Sequence, residues 1–294
     1  MTIIAGFSAS RQGSAPLNLA AQLAVTTGQK VVAAVIVERA VPSGVDPIED
    51  EYRSYMALQA AESLQRVVKR MPGEAAISIV VHESSSVPRG LIELTESHDP
   101  EIVVVGSSSS GLLGRVALGS VTESLVHTAA VPVAIAPRGY PYSPVRIQRL
   151  TAAYGGAADA VGLIKTSAEL AQKWSTALRI ASFTVRPAAM FGGSIERSAE
   201  GLVVRRWSNK ATEAVVRQLA EARETVPIPD VDVVIGTGVD WRDAVENVAW
   251  DSGDLLLLGS GAAGPLAQVF LGSAASKILR NAPVPVVIMP RTKS

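Results

Sequence analysis

The chain has 294 residues, 48% of them apolar, with Lys+Arg and Asp+Glu both at 27 and no cysteine. This length accommodates two domains of roughly 100–200 residues, and zero net charge argues against a broad electrostatic footprint for nucleic acid or acidic membranes. An aromatic content of 4% argues against a base-stacking platform, and the lack of cysteine excludes a disulfide frame, a cysteine nucleophile and a thiolate metal site.

The opening "MTIIAGFSASRQG" has no basic region ahead of a long apolar run, so no secretory signal is expected. Ile3–Phe7 reads as a short apolar strand. Ser14, Ala15 and Pro16 start a helix over "LNLAAQLA", and Gly28 stops it. Val31–Val37 is a continuous apolar strand, as in a sheet covered on both faces. Such runs fall far short of the roughly 20 residues that span a bilayer. The expectation is a cytoplasmic protein without membrane or nucleic-acid partners. "EDEYR", Glu49 to Arg53, reads as a solvated helix start. Met56, Ala60, Leu64, Val67, Val68 and Met71 follow helical spacing. Ile77–Val81 is a third strand, Leu91, Leu94 and Thr95 mark a short helix, and Ile102–Val105 is a fourth strand. A helix at Ser120–Ala129 and a strand at Val131–Ala136 complete the first half.

"PRGYPYSP", Pro137 to Pro144, is turn-rich and predicts a linker between domains at 1–140 and 146–294. Beyond it the order recurs. Strands are predicted near Leu150–Ala153, at Leu178–Val185, Val231–Ile235, Leu255–Leu258 and Val284–Met289. Helices are predicted at Asp159–Trp174, Ser208–Glu224, Trp241–Trp250 and Ser273–Arg280, with Glu196 to Trp207 as a mobile segment before Ser208. Alternating strands and helices imply a mostly parallel sheet with right-handed crossovers.

The recurrence extends to residues. "VVVGSSSSGLLGRVALGSVTESLVHTAAVPVAIAP" from Val103 aligns without a gap on "LLLGSGAAGPLAQVFLGSAASKILRNAPVPVVIMP" from Leu256, an offset of 153 residues. A period this long reads as a duplicated domain rather than a solenoid. The second segment contains "LLLLGSGAAG", which imitates the G-x-G-x-x-G of dinucleotide-binding folds. That fingerprint follows the first strand of its fold and calls for an acidic residue about 20 positions on. Here it follows a fourth strand, no Asp or Glu occurs from Pro265 to Ser294, and the aligned "GSSSSG" lacks the middle glycine.

The shared spacing is Gly106-x2-Ser109-x9-Gly119-Ser120 and Gly259-x2-Ala262-x9-Gly272-Ser273. Gly106 and Gly259 close strands, where a ligand can approach backbone without meeting a Cβ. Gly119 and Gly272 precede helices, with Ser120 and Ser273 at or near the N-cap. The free N–H groups of a helix N-terminus attract phosphate, and a Gly/Ser backbone can curl its amides inward as a nest. The alternative is that the glycines only make turns and the serines only cap. Arg115 reads as a phosphate partner or a solvated loop residue, and Glu123 as a first-turn complement to the helix dipole. His82, His98 and His127 lie on separate elements without metal-ligand spacing. Neither a P-loop nor a G-x-S-x-G elbow occurs.

This pattern resembles the universal stress protein family, whose nucleotide-binding members carry G-x2-G-x9-G-(S/T), then a helix and a "PV" strand. Pro132-Val133 and Pro285-Val286 match that strand, and the resemblance covers both halves, as in a tandem member. It implies an α/β fold of the adenine-nucleotide alpha-hydrolase type: two five-stranded parallel sheets flanked by helices, strand order 3-2-1-4-5, packed as a pseudo-dimer often through their last strands. It also implies ATP or another adenine nucleotide as ligand, with magnesium. Homodimerisation and a protein partner are implied as well, and a regulatory role with at most weak ATP hydrolysis. Carried over, nucleotide contacts fall on Gly6, Phe7, Ser8, Ile36, Val105, Gly106, Ser108, Ser109, Gly119, Ser120, Val121 and Thr122 in the first half. In the second they fall on Leu258, Gly259, Gly261, Ala262, Gly272 and Ser273, with Ala152, Ala153, Tyr154 and Phe183 at the strand ends.

The second motif glycine of the family is Ser109 and Ala262 here, and a Cβ there is expected to cost about 1 kcal/mol if the backbone needs positive φ. The strand-one Asp of the family appears as Ser8 and Tyr154, and Tyr154 is expected to crowd the base pocket. The first half is therefore the expected binder. The alternative is a non-binding member acting through dimerisation and protein contacts.

Overall fold

A computed structural model describes residues 1–8, 13–39, 47–73, 76–155, 160–185, 194–224, 227–228, 231–259 and 271–290. The first half runs β1 (Thr2–Gly6), α1 (Ser14–Thr27), β2 (Lys30–Glu38), α2 (Pro47–Arg70), β3 (Ile77–Ser84), α3 (Val87–His98), β4 (Ile102–Gly106), α4 (Ser120–Thr128) and β5 (Val133–Ala136). The second runs β6 (Arg149–Tyr154), α5 (Ala160–Trp174), β7 (Ala177–Val185), α6 (Ser194–Arg223), β8 (Val231–Gly238), α7 (Trp241–Glu246), β9 (Asp254–Gly259), α8 (Ser273–Asn281) and β10 (Val286–Met289).

The strands form one ten-stranded sheet in the order β3-β2-β1-β4-β5-β10-β9-β6-β7-β8. Each half thus has the order 3-2-1-4-5. Within each half all pairings are parallel. The halves join through their last strands, β5 against β10, antiparallel, with Val133 opposite Ile288 and Ile135 opposite Val286. The unbroken apolar runs of β4 and β9 fit this setting, because helices cover both faces. Leu17 of α1, Leu64 of α2, Ile164 of α5 and Val215 of α6 pack on one face with Ile3, Ala5, Leu150 and Ala152. Leu91 of α3, Leu125 of α4, Val245 of α7 and Leu279 of α8 pack on the other with Ile4, Val103 and Leu256. None of the described helices is long and apolar enough to cross a membrane.

Two expectations change. Residues 196–207 belong to α6, which starts at Ser194. The segment holds a single glycine and no proline among helix-forming Glu, Ala, Leu and Arg, so one glycine's cost of about 1 kcal/mol does not break it. Helix α7 ends at Glu246 rather than Trp250, and the Asn247 side chain donates from Nδ2 to the Thr237 carbonyl at 2.7 Å.

The linker is pinned. Asn18, Gln22 and Thr26 recur every four residues on α1 and are all buried. Asn18 donates to the Tyr140 carbonyl at 2.9 Å and Gln22 to that of Val145 at 3.0 Å. The Tyr140 hydroxyl donates to Gln22 Oε1 at 2.6 Å, and the Ile147 amide to Thr26 Oγ1 at 2.8 Å. Burial pushes the Tyr140 phenol up to about 12, so it stays a neutral donor.

Glu101, at the start of β4, ties the halves together. It accepts from Trp174 Nε1 at 3.0 Å, from Lys173 Nζ at 2.8 Å and from Gln29. In the second half, buried Asp254 accepts from Arg149 Nη2 at 2.7 Å, from Arg179 Nη2 at 3.3 Å and from the Asp251 amide at 3.0 Å. Arg179 also donates to Thr151 Oγ1 at 3.0 Å and lies over the Trp250 ring.

Asp254→Asn removes the buried carboxylate from between two adjacent guanidinium groups and leaves Arg149 only the exposed Asp251 as ion-pair partner. It should destabilise the chain by about 3–5 kcal/mol, read from denaturant unfolding. Burial opposes ionisation of Glu101, but its bonds from Lys173, Trp174 and Gln29 outweigh this and hold its carboxyl below the usual range. A lowered folded value adds stability above the unfolded pKa, lost as pH falls through the folded one. Glu101→Gln should therefore be less stable than wild type at pH 7. In urea titrations the gap should close as pH falls below about 4.3.

Candidate functional site

In each half the chain leaves two neighbouring strands toward opposite faces. From β1 it enters α1 on one face, and from β4 it enters α4 on the other. A crevice at such a switch point, outside the carboxyl ends of the strands, is where open α/β sheets bind ligands. Gly6, Phe7 and Ser8 stand at the end of β1. The Phe7 ring is buried, and its amide donates to the Ala34 carbonyl at 2.7 Å. Ile36 lies toward the end of β2, level with His82 of β3. Val105 and Gly106 end β4. Gly106 has a packing reason too: a Cβ there would stand 3.3 Å from Pro16 Cγ in the first turn of α1.

The loop after Gly106 closes on itself. The Ser108 amide donates to the Ala117 carbonyl at 2.8 Å. Ser107 Oγ accepts from the Ala117 amide at 2.7 Å and donates to its carbonyl at 3.2 Å. These three bonds form a neck, and Ser107 was not among the residues singled out by sequence. Further along, the amides of Ser110, Gly111, Gly114 and Arg115 bond to Ser108 Oγ and to the carbonyls of Ser108, Arg138 and Leu112. Arg138 donates back to the Gly111 carbonyl at 2.6 Å. The expected nest of inward amides is therefore largely engaged within the loop.

What stays uncapped is the start of α4. Gly119 is the N-cap, in extended backbone and without a side-chain cap, so Ser120 is the first helical residue rather than a cap. The first backbone bond of the helix runs from the Glu123 amide to the Gly119 carbonyl at 2.8 Å, which leaves the N–H groups of Ser120, Val121 and Thr122 ahead of it. Thr122 is buried and its hydroxyl donates to the Gly106 carbonyl at 3.2 Å, joining helix to strand end. Ser108 Oγ and Ser110 Oγ lie 2.9 Å apart in the loop. Ser109 is exposed. Among the described residues only Asp99 and Ser175 combine a side chain with positive φ, so the expected Cβ strain at Ser109 does not arise.

Arg115 matches neither sequence reading. Its Nη1 donates to the Asn281 carbonyl of α8 at 2.5 Å and its Nη2 pairs with Glu246 of α7, both in the other half.

In the second half, Leu258 and Gly259 end β9 at the corresponding switch point, Gly272 is the N-cap of α8 and Ser273 its first residue. Gly261 and Ala262 lie outside the described residues. The sheet register moves the strand-one carry-over by one position. Leu150 stands opposite Leu255 as Ile3 stands opposite Ile102, which are aligned residues of the repeat. Tyr154 is thus the counterpart of Phe7, buried in the same core, and Gly155 that of Ser8. Phe183 is the counterpart of Ile36: Leu178, opposite Leu150, matches Val31, opposite Ile3.

On the Arg89–Glu93 helix face, hydrogen bonds from His82 at 2.8 Å and from Arg89 at 2.9 Å hold the Glu93 carboxyl down at about 2. The same Arg–Glu pair recurs as Arg242–Glu246, at 3.1 Å and an offset of 153 residues.

A family model described as "Universal stress protein family" matches residues 1–137 and again 146–290. A universal stress protein of Mycobacterium tuberculosis is 32% identical over 296 residues, covering 99% of this chain and all of that protein. A second from that species is 28% identical over 221 residues, covering 70% of this chain and 66% of its own. The solved structure of a universal stress protein from Archaeoglobus fulgidus superposes with a TM-score of 0.61 at 16% identity, covering 99% of this chain and 98% of that one. One from Pseudomonas aeruginosa, described as a putative universal stress protein, gives 0.56 at 15%, covering 98% and 92%.

Ser107→Ala leaves the Ala117 amide without its acceptor and should cost about 1–3 kcal/mol. Amide exchange in residues 107–118 should rise well above that of the flanking strands; unchanged exchange would show that the neck does not hold the loop.

Proposed function

We propose that this chain, a tandem member of the universal stress protein family, binds an adenine nucleotide such as ATP in its first half and acts as a regulatory module in a stress response. The observation that carries this reading is the uncapped start of α4 at the β1–β4 switch point. Three N–H groups there have no acceptor within the helix, and the Ser108 side chain lies next to the Gly119 N-cap, hydrogen-bonded to Ser110. A phosphate would meet the positive end of the helix dipole together with these donors. Gly6, Phe7, Ser8 and Ile36, at the ends of β1 and β2, stand where the family resemblance puts adenine and ribose.

The first half suits this better than the second. Ser8 offers a hydroxyl to a ribose, whereas its counterpart Gly155 offers no side chain. Residues 107–119 contain no carboxylate, so a magnesium ion accompanying the nucleotide would rest on phosphate, water and serine hydroxyls. Glu123 sits in the first turn of α4, where it complements the dipole, and we read the module as regulatory rather than catalytic. A second reading, a member that binds no nucleotide and acts through dimerisation and protein contacts, is favoured by one observation: most amides of the first loop are engaged within it.

Mass spectrometry of ligand released from the purified protein, with thermal shifts against ATP, AMP and cyclic AMP, separates the two. Nucleotide at 100-fold its Kd should stabilise the chain by about 2.7 kcal/mol. Gly119→Val should abolish the shift, and Gly272→Val should leave it in place. No shift with any adenine nucleotide leaves the second reading standing.

A further inference from the structure

Arg115 belongs to the first glycine loop by backbone and to the second half by side chain. Its guanidinium caps the negative end of α8 through the Asn281 carbonyl at 2.5 Å and pairs with Glu246, the last residue of α7. Its backbone is held just as firmly on the near side. Its amide donates to the Leu112 carbonyl at 3.1 Å, and its carbonyl accepts from the Arg138 amide at 3.0 Å. Neither the loop nor the guanidinium can shift far without the other.

The loop tied in this way packs on the start of α4. A Cβ on Gly119 would stand in ordinary contact with Ser108, 3.5 Å from its Cβ and 3.7 Å from its Oγ. A phosphate is bulkier than the single carbon that this space admits, so its entry at the start of α4 would displace Ser108. The bond from the Ser108 amide to the Ala117 carbonyl would pass that displacement on toward Arg115, two residues before Ala117.

We propose that the Arg115 clamp couples occupancy of the first glycine loop to the α7–α8 face of the second half, holding the loop closed and opposing phosphate binding until the clamp yields. This rests on the nucleotide reading above. The ligand pays for opening by the fraction of molecules already open, and coupling of this kind is reciprocal: what releases α7 and α8 also favours the ligand. Among the described residues the device runs from the first loop to the second half. The residue at the offset of 153 from Arg115 is Gln268, which carries no charge, and Glu93 takes as its further partner His82 of its own half.

The test measures ATP binding by calorimetry on the full chain, wild type against Arg115→Gln, Glu246→Gln and the double variant. Glu246 lies outside every candidate contact to nucleotide. Each single variant should bind ATP roughly two- to fivefold tighter, the range that a half-exposed ion pair supplies. The double variant should be no tighter than the singles, because both residues serve one contact. In wild type, ATP should speed amide exchange in residues 241–250 and 273–281, and in Arg115→Gln it should not. Binding seen only in the variants supports the clamp directly. ATP binding with an equal or larger Kd in the variants overturns the clamp and leaves the nucleotide reading intact. Failure of wild type and all variants to bind ATP overturns both.

Discussion

Val133–Ala136 and Val286–Met289 are four-residue strands, buried along their whole length. Alone, each would end a five-stranded parallel sheet with a row of open N–H and C=O groups, the kind of edge that recruits other chains. Pairing them antiparallel removes both edges at once and makes one sheet of ten strands. Everything that crosses between the halves depends on this seam. It brings α1 beside the linker, Glu101 beside Lys173 and Trp174, and the loop after β4 beside the ends of α7 and α8.

The same pairing explains why the linker is ordered. A flexible connection would leave ten or so residues to be fixed again whenever the halves met, at about 1–2 kcal/mol of backbone entropy each. Asn18, Gln22 and Thr26 take up its carbonyls and amides instead, so their polar side chains are buried yet satisfied. The halves are therefore held in one arrangement by directional bonds as well as by apolar contact.

Much of the fold was legible in the sequence, because strand runs, helix periodicity and the 153-residue recurrence are local patterns that each residue reports. Strand order followed from family resemblance, and the glycine spacing located both switch points. What escaped depends on register or on distant partners. Tyr154 was set one position off because the gapless alignment begins at Val103 and the spacing between first strand and glycine loop differs between halves. The burial of the polar α1 stripe has no local signal, since that of Gln22 depends on residues 118 and more positions away. Arg115 had two local readings and took neither, because its partners are 131 and 166 residues distant. Ser109 was suspected of strain from a family pattern, while the local backbone stays clear of positive φ.

A duplicated domain can do what two identical copies cannot. In a symmetric pair each loop would carry the same residue toward its neighbour, and any clamp would occur twice. Within one chain the two positions are free to differ, and here they do: arginine at 115, glutamine at 268. The recipients have stayed alike, for Arg89–Glu93 and Arg242–Glu246 form the same pair four residues apart on equivalent helices. The divergence therefore lies in the loop residue at this position of the repeat rather than in the helix pair. The first half sends Arg115 over the seam to Asn281 and Glu246, and the second sends Lys173 to Glu101, so the two halves are joined by unlike contacts. Such contacts need two halves of different sequence, and the covalent link supplies both in one chain.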